Sequence, residues 1–278
     1  MDIKIYNCFH DHGSKPESKY LSNIRPSLLC GANVKWRGTD SISCDLRDNT
    51  GDNISEENEE YSELTGYYWI WKNDTADVVG IEHYRRHFLQ KLNIENDVVQ
   101  TSDLLTDKDI CNILKTNDFI IPLHDSLCDI NVYDLYKICF NDFADDIVKN
   151  MKRYFVNNNL TNYLDSFYNY MSHNYLIRGN MLITTKSKFD EYCNVMFNMI
   201  NYMKPRMGLN SFGRTWGYIT ELFPKIFIDA NGYSFKEMPV AIDDCDEDGN
   251  KRVTIVKANE NALLKKDPVI LINYLKSL

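Results

Sequence analysis

The sequence predicts a single α/β domain with a mixed, mostly parallel central sheet that helices cover on both faces. Four short apolar runs have the length and composition of buried strands, and segments with apolar residues at helical spacing lie between them. Buried strands that alternate with helices are typical of parallel sheets. We therefore expect four neighbouring core strands, at residues 3–8, 78–81, 119–123 and 181–185.

The composition is that of an ordinary globular protein. The chain has 278 residues, of which 44% are hydrophobic and 26% charged, and its formal net charge is -9. An acidic protein is not expected to be a general nucleic-acid binder, so local basic clusters indicate sites for small anionic groups. No apolar run approaches the roughly 20 residues that span a bilayer, which predicts at most peripheral membrane contact.

The cysteines predict neither a zinc site nor a disulfide framework. Eight are present, and no two have the Cys-x-x-Cys spacing. This pattern favours free thiols in a reducing cytoplasm. The first strand begins directly after Met1 and Asp2, so we expect no targeting segment, and a protein in the cytoplasm or at the inner face of the cell membrane.

A loop with two histidines follows the first strand. His10, Asp11 and His12 are possible metal ligands, but three adjacent ligands without a distant partner are a weak signal. A ligand contact through His10 is the favoured interpretation. The next residues, 14–44, are polar and irregular, which predicts a long loop with one short strand or helix at most.

Residues 50–88 carry the strongest patterns: a polar loop, an aromatic helix and a buried strand. Ser55 is a good helix N-cap, and the acidic residues after it suit the positive end of a helix dipole. Apolar residues at helical spacing predict one continuous helix from Ser55 to Trp71, which Asn73 and Asp74 end.

His83, Tyr84, Arg85 and Arg86 follow the buried strand of this stretch. In open α/β sheets, ligands bind outside the carboxyl ends of the strands. Two arginines there, with histidine and tyrosine, would clamp a doubly charged phosphate. The alternative is a solvated surface turn whose arginines pair with the acidic residues upstream. The residues alone leave both interpretations open.

The remaining sequence is rich in helices. We predict them at residues 103–115, 132–143, 144–155, 160–171 and 186–203, and one more from 214 that bends or ends at Pro224. The acidic run at 243–249 lacks the terminal glutamate of a calcium loop, so we interpret it as a solvated turn. Residues 253–278 predict a strand or edge element and then a short amphipathic helix.

Four motifs occur in order between residues 3 and 227: TGDNIS at 50–55, YYWIWKN at 67–73, HYRR at 83–86 and NMLITTKSKFDEYC from 180. With these motifs the chain resembles a family of bacterial capsular and exopolysaccharide biosynthesis proteins. That family was long catalogued as a domain of unknown function and is treated as glycosyltransferases related to the GT-A fold. The chain departs from it in Phe-His-Asp-His after the first strand and in Asn-Met-Leu-Ile at 180–183.

The resemblance implies a GT-A-like (Rossmann-like) fold and a hexosyltransferase-type enzyme. The donor would be a nucleotide sugar, with UDP-sugar favoured, and the acceptor a growing glycan or a lipid-linked oligosaccharide. The single domain, 1–278, would comprise a nucleotide-sugar-binding half at 1–125, an acceptor-side half at 126–235 and a C-terminal appendage at 236–278.

Ordinary GT-A enzymes place an Asp-x-Asp after the corresponding strand, where it holds a divalent metal against the donor diphosphate. Here that position reads Glu82 to Arg86. One carboxylate beside two guanidinium groups is poor for Mg²⁺ or Mn²⁺ but suits direct neutralisation of a diphosphate. We therefore predict a metal-independent mechanism, without a cofactor or metal ligands.

The resemblance and the residue types together define an expected site. Glu221 has the place of the general base in related folds, with His83 as the next candidate, although a surface helix glutamate is an equal interpretation of Glu221. The residues expected to bind the donor are His10, Asp52, Asn53, Tyr84, Arg85 and Arg86. Those expected on the acceptor side are Arg178, Asn180, Arg214 and Trp216.

Two other functions stay open at this point. The missing Asp-x-Asp is compatible with a non-catalytic module that binds a nucleotide sugar or a polysaccharide. A phosphoryl-transfer or hydrolytic enzyme would use His83, or His10 and His12, with Arg85 and Arg86.

Overall fold

The computed structural model of the chain describes residues 1–11, 13–34, 38–92, 99–177, 179–207, 213–245, 251–255 and 268–278. The strands are β1 (Ile3–Phe9), β2 (Ser27–Leu29), β3 (Leu46–Arg47), β4 (Val78–His83), β5 (Arg86–Phe88), β6 (Phe119–Pro122), β7 (Asp125–Ser126), β8 (Tyr175–Leu176), β9 (Leu182–Thr185), β10 (Phe235–Met238), β11 (Val240–Cys245) and β12 (Lys251–Ile255). The helices are α1 (Asn58–Tyr61), α2 (Leu64–Asn73), α3 (Asp107–Ile113), α4 (Val132–Phe140), α5 (Phe143–Asn157), α6 (Thr161–Ser172), α7 (Lys186–Met203), α8 (Thr215–Thr220), α9 (Phe223–Asn231) and α10 (Pro268–Ser277).

Ten of the described strands form one sheet, and β7 pairs with β8 in a separate ribbon. The main path of the sheet has the order β10-β6-β9-β4-β1-β2-β3. Its strand pairs are parallel except those of β9, which runs antiparallel to β4 on one side and to β6 on the other. The four predicted core strands are therefore neighbours, and the predicted mixed, mostly parallel sheet is confirmed.

Helices cover both faces of this sheet, as predicted. Alternation along β4 sends Val79 and Ile81 into the larger apolar core, which α2 and α4 to α9 share. Val78 enters a smaller core on the opposite face, where it meets Ile110 of α3. Because of the same alternation, the side chains of Glu82 and His83, the last residues of β4, point to opposite faces of the sheet.

The predicted helix from Ser55 to Trp71 is not continuous. It consists of a 3₁₀ turn, then α1, a break at Ser62 and then α2. Ser62 has φ 54° and ψ -132°, which is far from helical. The Asn58 side-chain amide donates to the Ser62 carbonyl at 2.6 Å and so competes for this acceptor with the Thr65 backbone N–H, which lies 3.3 Å from it. Competition of this kind between a side chain and the backbone is a common cause of helix ends.

The chain contains more strand than the sequence predicted. β2 and β3 lie in and just after the segment read as a long loop, and β5 follows the two turn residues Tyr84 and Arg85. β11 pairs with β5 and with β12. Asp243, predicted to start an acidic turn, lies in β11, and residues 246–249 of that run lie outside the described residues.

Candidate active site

A cleft opens at the carboxyl ends of the parallel strands β1 and β4. Its walls come from both strand ends, from the loop after β2 and from the break between α1 and α2. The residues that line it are Cys8, Phe9, His10, Cys30, Asn58, Ser62, Glu63, His83, Tyr84 and Arg214.

Strand register brings these groups together. Cys8 of β1 lies opposite His83 of β4, so both strands deliver their last residues to the same edge of the sheet. α2 leads back to the start of β4 through a short connection, which places the amino end of α2, with Glu63, beside the carboxyl end of β4. This edge is the usual ligand-binding position of open α/β sheets.

His83 and Arg86 lie directly opposite each other across the hairpin that joins β4 to β5. Directly opposed residues of an antiparallel pair project from the same face, so both side chains point to one side of the hairpin. The Arg86 guanidinium packs against Gly179, where an added Cβ would lie 2.9 Å from Nη1. Gly179 has φ +80°, a conformation that favours glycine.

A buried hydrogen-bond network fixes the Glu63 carboxylate. The Asn180 amide donates to Glu63 Oε1 at 2.5 Å and to the Gly217 carbonyl at 2.9 Å. Both partners are acceptors, which determines the orientation of the amide. The backbone carbonyl of Asn180 accepts from the Tyr67 hydroxyl at 2.8 Å and contacts His83 Nε2 at 3.3 Å. Because a carbonyl only accepts, His83 Nε2 carries the proton in this contact.

The charges of the cleft follow from burial and from these contacts. Burial, together with the charges of Arg86 and Arg214, lowers the pKa of His83 to about 4, against the opposing effect of Glu63. Burial alone would raise the pKa of the Glu63 carboxyl, but the His83 ring when it is protonated, together with the hydrogen bonds from Asn180 and Ser62, outweighs burial and holds the pKa below its ordinary value. At neutral pH the cleft therefore holds a neutral imidazole and a carboxylate.

Arg214 reaches the cleft from just before α8. Its backbone N–H donates to the Glu59 carbonyl at 2.7 Å, and its Nε contacts Ser62 Oγ at 3.3 Å. Arg214 has φ +67° and Ser62 has φ +54°, so two non-glycine residues with positive φ touch each other here. Such conformations cost energy and cluster at functional sites.

The structure brings several of the predicted residues together. His10, His83, Tyr84 and Arg214 line the cleft, and Arg86 and Asn180 contact its walls. The His10 and Tyr84 rings meet edge to face at 5.7 Å between centroids.

Asp52 and Asn53 are not brought to this cleft. The Asp52 backbone N–H donates to Asn73 Oδ1 at 3.1 Å, and Asn53 bonds the Gly51 carbonyl at 2.9 Å. Asn73 ends α2, whereas Glu63 precedes its first residue, so the whole helix separates the two loops. Gly51 is required because a Cβ would lie 2.0 Å from Asn73 Oδ1. In this structure the TGDNIS loop packs on the carboxyl end of α2.

Three more of the predicted residues lie away from the cleft lining. Trp216 is 1% exposed and packs in the core, so its ring has no free face for a sugar. Glu221 follows α8 on the side of α4, where burial and then the Glu221 charge raise the pKa of Tyr136. Arg85 is exposed at the hairpin turn, with its guanidinium 5.1 Å from the Tyr84 ring. Arg178 lies outside the described residues.

Glu82, the acid at the Asp-x-Asp position, faces away from the cleft because alternation along β4 opposes it to His83. It is fully buried, and its carboxylate meets Arg25 Nε at 3.4 Å and His87 Nδ1 at 3.3 Å and accepts from the Phe88 N–H at 3.0 Å.

Sequence reasoning missed the central carboxylate of the cleft. Glu63 lay inside a predicted continuous helix, where nothing distinguished it from the exposed acidic residues before it. Asn58 and Ser62 were missed for the same reason, since the helix break they make is set by a side-chain hydrogen bond. Asn58 and Ser62, two residues that compete with helical hydrogen bonding and lie four positions apart, are the signal for a break in the sequence.

The described ranges contain no metal-ligand cluster. There, no group of three or more histidine, cysteine, aspartate or glutamate side chains is arranged to hold a metal ion. His10 Nε2 lies 3.2 Å from Asp11 Oδ2, and His12 lies outside the described residues. No helix in these ranges is long and apolar enough to cross a membrane.

The sheet order and the cleft at its carboxyl edge define an α/β fold with a ligand-binding edge. The chain is similar to the solved apo structure of WbbM, a bifunctional glycosyltransferase, with a TM-score of 0.70 and 24% identity. The match covers 86% of this chain and 45% of that one, so this chain spans less than half of WbbM.

The chain belongs to the family described as "Domain of unknown function (DUF4422)", whose model matches residues 4–232. No curated protein matches the chain. The family match covers every residue that lines the cleft.

Proposed function

We propose that the protein is a glycosyltransferase that moves a hexose from a nucleotide sugar, with UDP-sugar favoured, to a glycan acceptor. The observation that carries this proposal is the position of Arg86 and Arg214. Both charges act on His83 at the cleft, and within the described residues neither guanidinium pairs with a carboxylate. Two arginines without a carboxylate partner at the ligand-binding edge of such a sheet favour an anionic ligand.

The chemistry of sugar transfer needs cations at this position. As the bond between the anomeric carbon and the phosphate oxygen breaks, negative charge builds up on the departing nucleoside diphosphate. Fixed cations that already point at that charge stabilise the transition state without reorganisation. Arg86 supplies this charge together with Arg214, which the sequence analysis had assigned to the acceptor side. Arg85, His10 and Tyr84 extend the donor surface beside the hairpin turn.

The mechanism is metal-independent. Glu82 is the one carboxylate in the Glu82–Arg86 segment, and it is engaged with Arg25 and His87 in the opposite core. It is therefore not available to bridge a divalent metal to the donor, and the arginines take over that role.

The acceptor is a growing capsular or exopolysaccharide chain, including its lipid-linked form at the inner face of the cell membrane. Tyr218 supports a glycan acceptor, because its ring is 44% exposed and lies 5.6 Å from the Arg214 guanidinium at the rim of the cleft. Exposed aromatic rings offer an apolar face to sugars. Asn180 and Trp216 lie buried behind the acceptor side, Trp216 as a support of α8. Arg178, which lies outside the described residues, stays a predicted acceptor contact.

The test is product formation. The purified protein is incubated with individual UDP-hexoses and with octyl hexosides or lipid-linked oligosaccharides, in EDTA and separately in Mg²⁺ or Mn²⁺. Mass spectrometry should show one added hexose, at similar rates with and without EDTA. Release of UDP without a glycosylated product would indicate a hydrolase instead. Nucleotide binding without turnover would indicate a binding module.

A further inference from the structure

A glycosyl transfer that inverts the anomeric carbon needs a base for the acceptor hydroxyl, and the cleft contains one candidate that the sequence did not reveal. Among the described residues that line it, Glu63 is the one carboxylate. Glu82 faces the other core, and Glu221 lies on the α4 side of α8. A candidate base must be within reach of the reacting proton, so position decides between these three before acidity does.

The surroundings of Glu63 hold its side chain in one place. Asn180 fixes Oε1 at 2.5 Å, and the same amide is anchored on the Gly217 carbonyl. Gly217 allows α8 to approach the helix break, since an added Cβ would lie 3.1 Å from the Ser62 Cβ, whereas Glu63 Oε2 would be in ordinary contact at 3.6 Å. Glu63 follows the helix break and is 8% exposed, so its backbone does not move with an exposed loop.

Hydrogen bonds hold the Glu63 carboxylate, and among the described residues no arginine or lysine forms an ion pair with it. Asn180 bonds Oε1, and Arg214 binds the Ser62 hydroxyl beside the carboxylate without pairing with it. A direct Arg214 pair would tie up the carboxylate and weaken it as a base. The charge distribution agrees: Glu63 is ionised at neutral pH, while His83 next to it is neutral.

We propose that Glu63 is the general base of the transfer and that Asn180 is the residue that positions it. This proposal rests on the proposed glycosyltransferase function. Glu63 takes the proton of the acceptor hydroxyl while that oxygen forms a bond to the anomeric carbon. The bond from the anomeric carbon to the phosphate oxygen breaks, and its electron pair leaves with the nucleoside diphosphate, which Arg86 and Arg214 stabilise. With a single carboxylate in place, this displacement inverts the anomeric configuration.

The test compares Glu63→Gln with two other glutamine variants. Glu63→Gln keeps the size of the side chain and removes the charge, and should lower the transfer rate by about 10²-fold or more, as for loss of a general base. Its affinity for UDP, measured by calorimetry, should stay within about twofold of wild type. Glu56→Gln, at an exposed position before α1, is the matched control and should behave as wild type. Glu221→Gln tests the competing base.

The outcomes separate this assignment from the proposed function. Near-normal turnover of Glu63→Gln, or a large loss in Glu221→Gln alone, would overturn the role of Glu63 and leave the transferase intact. A parallel loss of UDP affinity in Glu63→Gln would make Glu63 a binding residue and overturn its role as base. A wild-type protein without transfer would overturn the proposed function and this assignment together.

Two further measurements distinguish a catalytic role of Glu63 from loss of activity through misfolding. Glu63→Asp keeps the charge but shortens its reach, so it should retain more activity than Glu63→Gln. Equal loss in both variants, with a lowered melting temperature, would indicate a structural role and contradict the assignment. The anomeric configuration of the product, read by proton NMR, should be the opposite of the donor's, and retention would also contradict it.

Discussion

Asn180 and Glu63 are 117 positions apart in the chain, and the Asn180 amide donates to the Glu63 carboxylate at 2.5 Å. This contact joins the residue before Met181 and β9 to the break before α2. It brings a carboxylate to the ligand-binding edge of the sheet and keeps it ionised there. The charge of the cleft therefore depends on a residue of the second half of the chain.

Asn180→Asp tests that dependence. A second carboxylate would replace a donor beside Glu63, and two like charges in one site cannot both ionise freely, so the pKa of Glu63 should rise. The acid limb of the transfer rate should then move to higher pH by about one unit or more. The rate is measured between pH 5 and 8, with the circular dichroism spectrum as a control for folding. A wild-type pH profile would show that Asn180 does not set the charge of Glu63.

Protonation of His83 should make stability depend on pH. Its pKa is lowered to about 4 in the folded protein from an ordinary 6.5, so the unfolded chain takes up a proton first as the pH falls. The free energy of unfolding should therefore decrease between about pH 6.5 and pH 4 from this group. Urea denaturation at pH 7.0 and pH 5.0 should show a smaller decrease for His83→Gln than for wild type. An equal decrease in both proteins would mean that His83 titrates normally when folded.

Gly179 is predicted to position Arg86. An added Cβ at Gly179 would lie 2.9 Å from Arg86 Nη1, so Gly179→Ala should displace the guanidinium and weaken UDP binding by roughly tenfold. Gly232→Ala is a matched control, because Gly232 also has positive φ but no atom within 4 Å of the added Cβ. Both variants should lose about 1–3 kcal/mol of stability from backbone strain. Equal UDP affinity in the two variants would contradict the packing of Arg86 on Gly179.

Gly66 is predicted to set the distance of α2 from the sheet. An added Cβ would lie 2.7 Å from Cys30 Sγ and 3.2 Å from a Leu28 methyl carbon, so Gly66→Ala should destabilise the protein by about 1–3 kcal/mol despite its better helix propensity. Cys30→Ala removes the closest atom. The double variant should therefore lose less stability than the two single losses added together, as measured by urea denaturation. If the two losses of stability add, the added Cβ at residue 66 does not clash with the Cys30 side chain.

The fold was largely predictable because its core strands are short apolar runs and its long helices have regular apolar spacing. α7 was predicted at residues 186–203 and lies at Lys186–Met203. β5 was missed, since three residues that begin with arginine carry little strand signal and β5 forms only by pairing with β4 and β11.

The site was less predictable, because long-range contacts decide it. The pattern of charges predicted that His83 and Arg86 lie together at the carboxyl end of β4, and the structure has them opposite each other there. Their role in binding a ligand stays a prediction. Glu63 was hidden, since the helix break that exposes it depends on one Asn58 hydrogen bond. Asp52 was predicted to bind the donor because it lies in a polar loop. Its backbone N–H instead donates to Asn73, 21 residues away at the end of α2.

The central claim is that arginines, and not a metal, hold the donor diphosphate at this cleft. Calorimetric titration with UDP in EDTA tests it most directly, on the wild type, Arg86→Ala and, as a control, Arg153→Ala at an exposed position of α5. We predict that the wild type and Arg153→Ala bind UDP equally without metal and that Arg86→Ala binds roughly 10- to 100-fold more weakly. Binding that requires Mg²⁺ or Mn²⁺, or wild-type affinity in Arg86→Ala, would contradict the claim.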